Sequence, residues 1–257
     1  MGDLAIDAAV AGGDGRYTAK LSPEWNAWGP NGGYLAAILL RAALAHGEFR
    51  GVAAVTCHFL SVARFDAVDL RVTTLRRARR AESVRVTMAQ DGVPVAEALV
   101  WLVADGLDGL RHDDARMPEV PGPEGLGGFE DLEGSSMWDN IEGRLIDGPG
   151  EPYACGWYRF PAHTSDDLAR QLILLDVLGS EATWRRHGPD GGYITPNLDL
   201  SVQFHRSAPG EEWLLAEGLA DVAERGLVGF RSRVWSRGGR LLASGSGQLF
   251  CRPDPRV

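Results

Sequence analysis

The segment Val55-Thr56-Cys57-His58-Phe59-Leu60-Ser61 recurs later in the chain as Ser201-Val202-Gln203-Phe204-His205-Arg206-Ser207, with Phe59 and Phe204 in register. Each copy is followed by a charged strand, an arginine-bearing turn and an alternating strand, at residues 83–88 in the first copy and 228–235 in the second. A turn then leads to a closing strand, residues 93–98 or 240–245. An apolar helical segment precedes each copy, at 34–45 and 168–184. Two helix-plus-sheet units in this order predict two domains of one fold, packed together as a pseudo-dimer.

The local patterns agree with that reading. Residues 34–45 are apolar on nearly every face, so this helix is surrounded by protein rather than lying on a surface, and Gly47 is its expected stop. Leu198, Leu200, Val202 and Phe204 alternate with Asn197, Asp199, Ser201, Gln203 and His205, a strand with one buried and one polar face. A central helix wrapped by an antiparallel sheet satisfies both patterns. Between the copies, Pro118, Pro121, Pro123 and Gly127-Gly128 leave no helical or strand period. This region reads as an extended, solvated connector. The expected division is a first domain over 1–110, a linker over 111–135 and a second domain over 136–257.

With 257 residues, 44% of them hydrophobic, the chain can bury two cores. A net charge of −9 argues against a nucleic-acid surface, while leaving room for a small anionic ligand held by a local cluster. Cys57, Cys155 and Cys251 have no paired spacing; Cys57 and Cys251 fall in apolar strands as reduced thiols, which suits the cytoplasm. No basic-then-apolar signal opens the chain, and its longest apolar helical run is interrupted by Arg41 and too short to span a bilayer.

Asp176 is the sharpest chemical candidate. It interrupts the apolar run Leu172-Ile173-Leu174-Leu175-Asp176-Val177-Leu178, and its helical neighbours Leu172, Ile173, Gly179 and Ser180 include no cation. A buried carboxylate without a partner is expected to have a raised pKa, which suits a base working near neutral pH. Gly179 one turn later leaves room for a ligand. The alternative is a carboxylate at the helix edge, bonded to a strand or exposed at a domain seam. The second candidate is Asn31-Gly32-Gly33-Tyr34, where glycines open a helix whose first N–H groups lack intrahelical acceptors. Such N–H groups can polarise a carbonyl and hold an oxyanion; the alternative is a plain turn into the helix. The four arginines of residues 75–80 are a hairpin tip that could also meet a phosphate. The six histidines show no metal-ligand spacing, and His58 and His205 read as packed or hydrogen-bonded. Trp101, Trp157, Trp213 and Trp235 read as core or seam residues. Nucleophile-elbow, phosphate-loop, dinucleotide and zinc motifs are absent.

The glycine-rich start of a buried helix, the wrapped sheet and the second copy resemble the hotdog fold. The whole arrangement resembles the double-hotdog acyl-CoA thioesterases of the thioesterase II (TesB-like) family. The resemblance rests on Asn31-Gly32-Gly33-Tyr34, on Leu175-Asp176-Val177-Leu178 through His187-Gly188, on Ser201–Arg206 and on Leu241-Leu242-Ala243-Ser244. It implies an α+β fold and hydrolysis of an acyl-CoA by water that a helix-borne Asp activates with a Thr and a Gln. The Asp carries over onto Asp176. The Thr position falls on Asn197, which offers an amide in place of a hydroxyl. An ungapped match puts Gly247 at the Gln position, and a bulge among Gly245 and Gly247 would return Gln248 to it. On this reading Asp176, Asn197 and Gln248 are catalytic, and Asn31, Gly32, Gly33 and Tyr34 bind substrate. Gly33-Tyr34, or an equivalent in the second unit, would hold the oxyanion. Arg206 or the arginine turn would meet CoA phosphates. The resemblance implies no cofactor or metal and a homodimer of double units. Two other readings stand beside it: a non-catalytic acyl-ligand-binding protein, and a hydratase or dehydratase. The second would pair Asp with a nearby His, whereas the first His after Asp176 is His187.

Overall fold

Alternating strands with one apolar face must lay that face on something, and in this chain it is a helix. A computed structural model describes residues 2–128, 135–146, 153–161, 167–188 and 192–254. The first half runs α1 (Leu4–Asp7), β1 (Ala11–Gly13), β2 (Arg16–Lys20), α2 (Gly32–His46), β3 (Gly51–Phe59), β4 (Ala67–Arg77), β5 (Ala81–Gln90) and β6 (Val93–Val103). The second runs β7 (Glu142–Ile146), β8 (Tyr153–Arg159), α3 (Asp167–His187), β9 (Tyr193–Ile194), β10 (Asp199–Phe204), β11 (Trp213–Glu224), β12 (Leu227–Ser236), β13 (Leu241–Phe250) and β14 (Arg252–Pro253). Twelve strands form one antiparallel sheet in the order β1-β2-β4-β5-β6-β3-β10-β13-β12-β11-β8-β7, and β9 pairs separately with β14. The first half of the sheet wraps α2 and the second wraps α3, the double-hotdog arrangement. Among the described residues no helix is long and apolar enough to cross a membrane.

The repeated segment is the hinge of this symmetry. β3 and β10 are the strands that join the two half-sheets, pairing Asp199 with His58, Leu200 with Cys57 and Ser201 with Thr56. Thr56 stands three residues before Phe59 and Ser201 three before Phe204, so the pair that faces across the seam is also a pair of repeat equivalents. A pseudo-twofold axis therefore passes between Thr56 and Ser201. The two helices meet beneath it.

Burial of α2 is as the sequence predicts: Gly33 to Leu40, Ala42 and Ala43 are all buried. Asn31 caps it, its Oδ1 accepting from the Tyr34 N–H at 2.9 Å. Gly47 does end the helix, with extended rather than left-handed backbone (φ −72°). A Cβ there would fall 2.4 Å from Leu102 Cδ1, so packing is what demands glycine.

Two expectations are corrected here. The connector is extended but not solvated throughout: Ala115, Met117, Val120 and Leu126 pack on an outer-face cluster of Ile146, Cys155, Trp157, Leu215 and Trp235. The Trp157 indole N–H donates to the Pro121 carbonyl at 2.8 Å. Residues 129–134 of the expected linker lie outside the described residues. Trp157 and Trp235 are thus core residues, but of this outer layer. On the first half-sheet, Trp101 is 43% exposed and so not a core residue. Trp213 is half-buried under the guanidinium groups of Arg144 and Arg159. Cys57 is buried in β3 as expected, whereas Cys251 is half-buried between β13 and β14 rather than within a strand.

The docked connector makes a testable claim. Trp157→Phe removes the donor to Pro121 while keeping most of the apolar area, and should cost about 1 kcal/mol in urea unfolding. It should also speed proteolytic cleavage within residues 111–128. Cleavage at the wild-type rate would show that this bond does not hold the connector down.

Candidate active site

A charge in the middle of an apolar helix has to find partners off the helix. Asp176 is 4% exposed, with Leu172, Ile173, Leu174, Leu175 and Leu178 fully buried around it. Burial disfavours the anion and pushes the carboxyl up to about 6; hydrogen bonds from the Gly33 N–H, the Asn197 and Asn31 side chains and the Gly32 N–H pull the other way. Asn31 Nδ2 donates to Oδ2 at 2.9 Å. Asn197 Nδ2 donates to Oδ1 and also, at 3.1 Å, to the main-chain carbonyl of Asp176. The positive end of α2 thus points at the carboxylate of α3. Donors from two loops and one helix start match the roughly four lone-pair sites of a carboxylate.

This geometry corrects the expected role of the glycines. They admit not a ligand carbonyl but α3. A Cβ on Gly32 would sit 2.6 Å from Asp176 Oδ1, and one on Gly33 would sit 2.5 Å from Ile173 Cα. The Gly33-Tyr34 segment also does not present free N–H groups for an oxyanion, because Gly33 faces Asp176 and the Tyr34 N–H goes to Asn31. Tyr34 is fully buried; its hydroxyl donates to the Asp7 carbonyl at 2.6 Å and accepts from the Ser22 N–H at 3.1 Å. Of the four expected substrate-binding residues, Asn31 and Gly32 line the cavity beside Asp176, and Gly33 and Tyr34 do not.

Asn197 stands next to Asp176, just before β10. Its amide orientation is dictated by the carboxylate, since the reverse would set oxygen against oxygen. The Asn197 Oδ1 that results is buried and has no hydrogen-bond partner among the described residues.

Gln248 is not brought to the site. β13 runs in unbroken register against β12 from Ala243 to Phe250, so there is no bulge among Gly245 and Gly247. Ala243, Gly245 and Leu249 are buried toward α3, and Gln248 has the opposite parity. The inward position is Gly247, where a Cβ would meet the Phe230 ring at 2.8 Å and the Asp199 carbonyl oxygen at 2.3 Å. Gly179, expected to make room for a ligand, makes room for the other side of that ring, with a built Cβ 2.5 Å from Phe230 Cγ. The Phe230 side chain from β12 fills the space between two glycines on two different elements.

Asp176, Asn31 and Asn197 open onto a cavity of about 480 Å³. Its apolar wall includes Trp28, Phe59, Val62, Val177, Trp184 and Phe250, with Trp28 and Trp184 meeting edge to face at 5.2 Å. Ser180, Glu181 and Thr195 make a polar strip that the sequence reading missed. The available signal was helical spacing, since Ser180 and Glu181 fall four and five residues after Asp176. No histidine lines the cavity among the described residues; His163 lies outside them. His58 is exposed, and His205 is exposed with Nε2 2.9 Å from Ser244 Oγ. The arginine turn lies by the far end of α2, where Arg77 pairs with Glu48 and Glu82 at 2.6 and 2.9 Å. Arg206 is held by the Leu241 carbonyl and Asp113. Neither lines the cavity; the arginine among its described lining residues is Arg252.

Comparison with known proteins agrees with this architecture. Residues 21–103 match the acyl-CoA thioesterase N-terminal domain and residues 111–250 the acyl-CoA thioesterase C-terminal domain. No curated protein matches the chain. Among solved structures, a hot dog protein of unknown function from Alicyclobacillus acidocaldarius superposes with a TM-score of 0.82 at 22% identity, covering 98% of both chains. A TesB protein of Mycobacterium avium subsp. paratuberculosis gives 0.81 at 22% identity over 97% of this chain and 98% of that one. An acyl-CoA thioesterase II from Mycobacterium marinum gives 0.79 at 18% identity over 99% and 98%. At these identities the superpositions speak to the fold, and the two domain matches speak to the family: the chain belongs to the acyl-CoA thioesterases of the thioesterase II type, double-hotdog thioester hydrolases.

Proposed function

We propose that the chain hydrolyses an acyl-CoA to the free acid and CoA, with Asp176 as the base that activates water. The observation that carries this is the buried Asp176 carboxylate, raised to about 6 and opening onto an apolar-walled cavity of about 480 Å³. A base with that pKa is ionised at neutral pH and still accepts a proton readily. Water at the cavity wall donates one hydrogen to Asp176, whose carboxylate the Asn197 amide holds in place. The water oxygen adds to the thioester carbonyl as Asp176 takes the proton. The carbon–sulfur bond then breaks, and that proton goes to the departing thiolate. Asn31 Nδ2, at the cavity edge, is the donor able to turn from Asp176 to the developing oxyanion.

A non-catalytic acyl-binding protein is the second reading, and the Phe230-filled slot at Gly247 is what favours it. The hydratase reading has less support, because no histidine among the described residues lines the cavity.

Three measurements test the mechanism. Asp176→Asn should lower thiol release from acyl-CoA by about 10²-fold or more. Undiminished turnover would remove Asp176 from the chemistry, and a wild type that binds acyl-CoA without releasing thiol would establish the second reading. The base must be ionised to act, so kcat/KM should rise with pH through about 6 and level off above it. A profile flat across that range would contradict the assignment. Asn31→Ser keeps a cap for the Tyr34 N–H but removes a donor from the carboxylate, which favours the protonated form. The acid limb should therefore move to higher pH, while Asn31→Ala should also lose about 1 kcal/mol of stability with the cap.

A further inference from the structure

α3 turns one face to the cavity. Asp176, Ser180 and Trp184 follow at i, i+4 and i+8, with Val177 and Glu181 beside them at i+1 and i+5. At 3.6 residues per turn these positions span about 140° of the helix. The helix is therefore a ruler laid along the bound acyl group. If the thioester carbonyl sits at Asp176, Glu181 reads a point about 7.5 Å further along the chain. This step rests on the thioesterase reading.

The chain's other buried carboxylates show how it treats such a group when the role is structural. Glu82 accepts from the Glu48 and Phe49 N–H groups and pairs with Arg77. Glu217 accepts from the Tyr153 hydroxyl at 3.0 Å and the Trp235 indole at 3.1 Å. Asp176 has its full set of donors. Glu181 is half-buried, lines the cavity, and makes no hydrogen bond or ion pair among the described residues. Burial pushes its carboxyl up to about 7, with the charge of Arg185 opposing. Next to it, the Thr195 hydroxyl donates to Ser180 Oγ at 3.1 Å, and the Ser180 hydroxyl to the Thr195 carbonyl at 3.2 Å, so both of their protons are used. Ser180 and Thr195 therefore have no proton left to give Glu181. Once a ligand displaces water from the cavity, a carboxyl left so is unfavourable unless the ligand brings the donor.

We propose that Glu181 selects the acyl group: the cavity takes thioesters whose acyl chain carries a hydroxyl about 7 Å beyond the carbonyl, and turns away chains that end there in a carboxylate. The hydroxyl donates to Glu181 while the carbon chain before it lies against Trp28, Trp184 and Val177. An apolar terminus leaves the carboxyl without a donor, and a terminal carboxylate brings a second anion, so that one of the two must take up a proton before the chain can stay. Recognition of this kind discriminates strongly, because the penalty falls on the site's own unpaired group.

The test uses hexanoyl-CoA, ω-hydroxyhexanoyl-CoA and adipoyl-CoA with the wild type, Glu181→Leu and Glu181→Gln. In the wild type kcat/KM should be about ten-fold or more higher for the hydroxyl-ended substrate than for hexanoyl-CoA, with adipoyl-CoA below both. Glu181→Leu should reverse the order of the first two. Glu181→Gln should keep the hydroxyl preference and raise adipoyl-CoA turnover, and it serves where the leucine variant folds poorly. Turnover of all three substrates without this order, or an order unchanged in both variants, overturns the proposal and leaves the hydrolase mechanism intact. Calorimetric binding of the non-hydrolysable thioether analogues separates the two claims. If thiol release is absent but the thioethers bind in the predicted order, the mechanism fails and the selection by Glu181 stands.

Discussion

Everything around the seam follows from keeping one carboxylate charged in the apolar middle of a helix. Asp176 lies in the apolar middle of α3, and burial outweighs its hydrogen-bond donors, raising its carboxyl to about 6 from an ordinary value near 4. A group whose folded pKa is raised favours the folded state at low pH and loses that contribution as pH climbs through about 6. By neutral pH the charge therefore costs the fold about 3 kcal/mol, even with every donor in place. The donors limit the cost rather than abolish it. Asn31, Gly32 and Gly33 come from the first half of the chain, Asn197 from the second, and the approach of α2 to α3 is fixed by the need to bring them together. That is why Gly32 and Gly33 have no side chains: any Cβ there would separate the helix start from the charge it neutralises.

Much of this is legible in the sequence, and the reasons it stops are specific. The repeat of residues 55–61 at 201–207 points to the pseudo-twofold because the paired strands at the axis are the repeated ones. Asp176 stands out because a helical run exposes a misplaced charge by its period alone. Asn197 is reached through the family resemblance and lies where that resemblance puts it, beside the carboxylate. What is not legible depends on partners distant in sequence. Gly179 and Gly247 each look like space for a ligand or a glutamine, and only the fold shows that one ring, Phe230, occupies both. The face of Gln248 turns on a bulge that β13 does not have. The connector's composition reads as solvated because the surface that holds it, Trp157 and Trp235, is assembled from strands far along the chain. Tyr34 follows the helix-start glycines in sequence but points into the core against Trp25, on the other side from the cavity.

The Phe230 slot bears on how the site should be understood. In the resemblance the inward position on β13 supplies a polar side chain to the water. Here it is closed by a ring packed between two bare backbones, and the polar work near Asp176 falls to two asparagines. The chain thus holds the carboxylate with amides from both of its halves. The orphaned Oδ1 of Asn197 is the visible consequence of that choice.

Joining two similar units in one chain is what permits such a division of labour. Were the halves identical, each helix would have to carry a carboxylate in its middle and a glycine pair at its start, and both charges would be buried at the seam. With separate sequences, α2 keeps Leu, Ala and Ile through its middle and spends its start on donors. α3 carries Asp176 and extends the same face through Ser180, Glu181 and Trp184 into the cavity. The connector adds to the asymmetry by packing on Trp157 and Trp235 of the second half-sheet, while Trp101 on the first is half-exposed. A fold with near-twofold symmetry in its strands has none in the residues where α2 and α3 meet: the buried carboxylate of Asp176 has no counterpart in the apolar middle of α2.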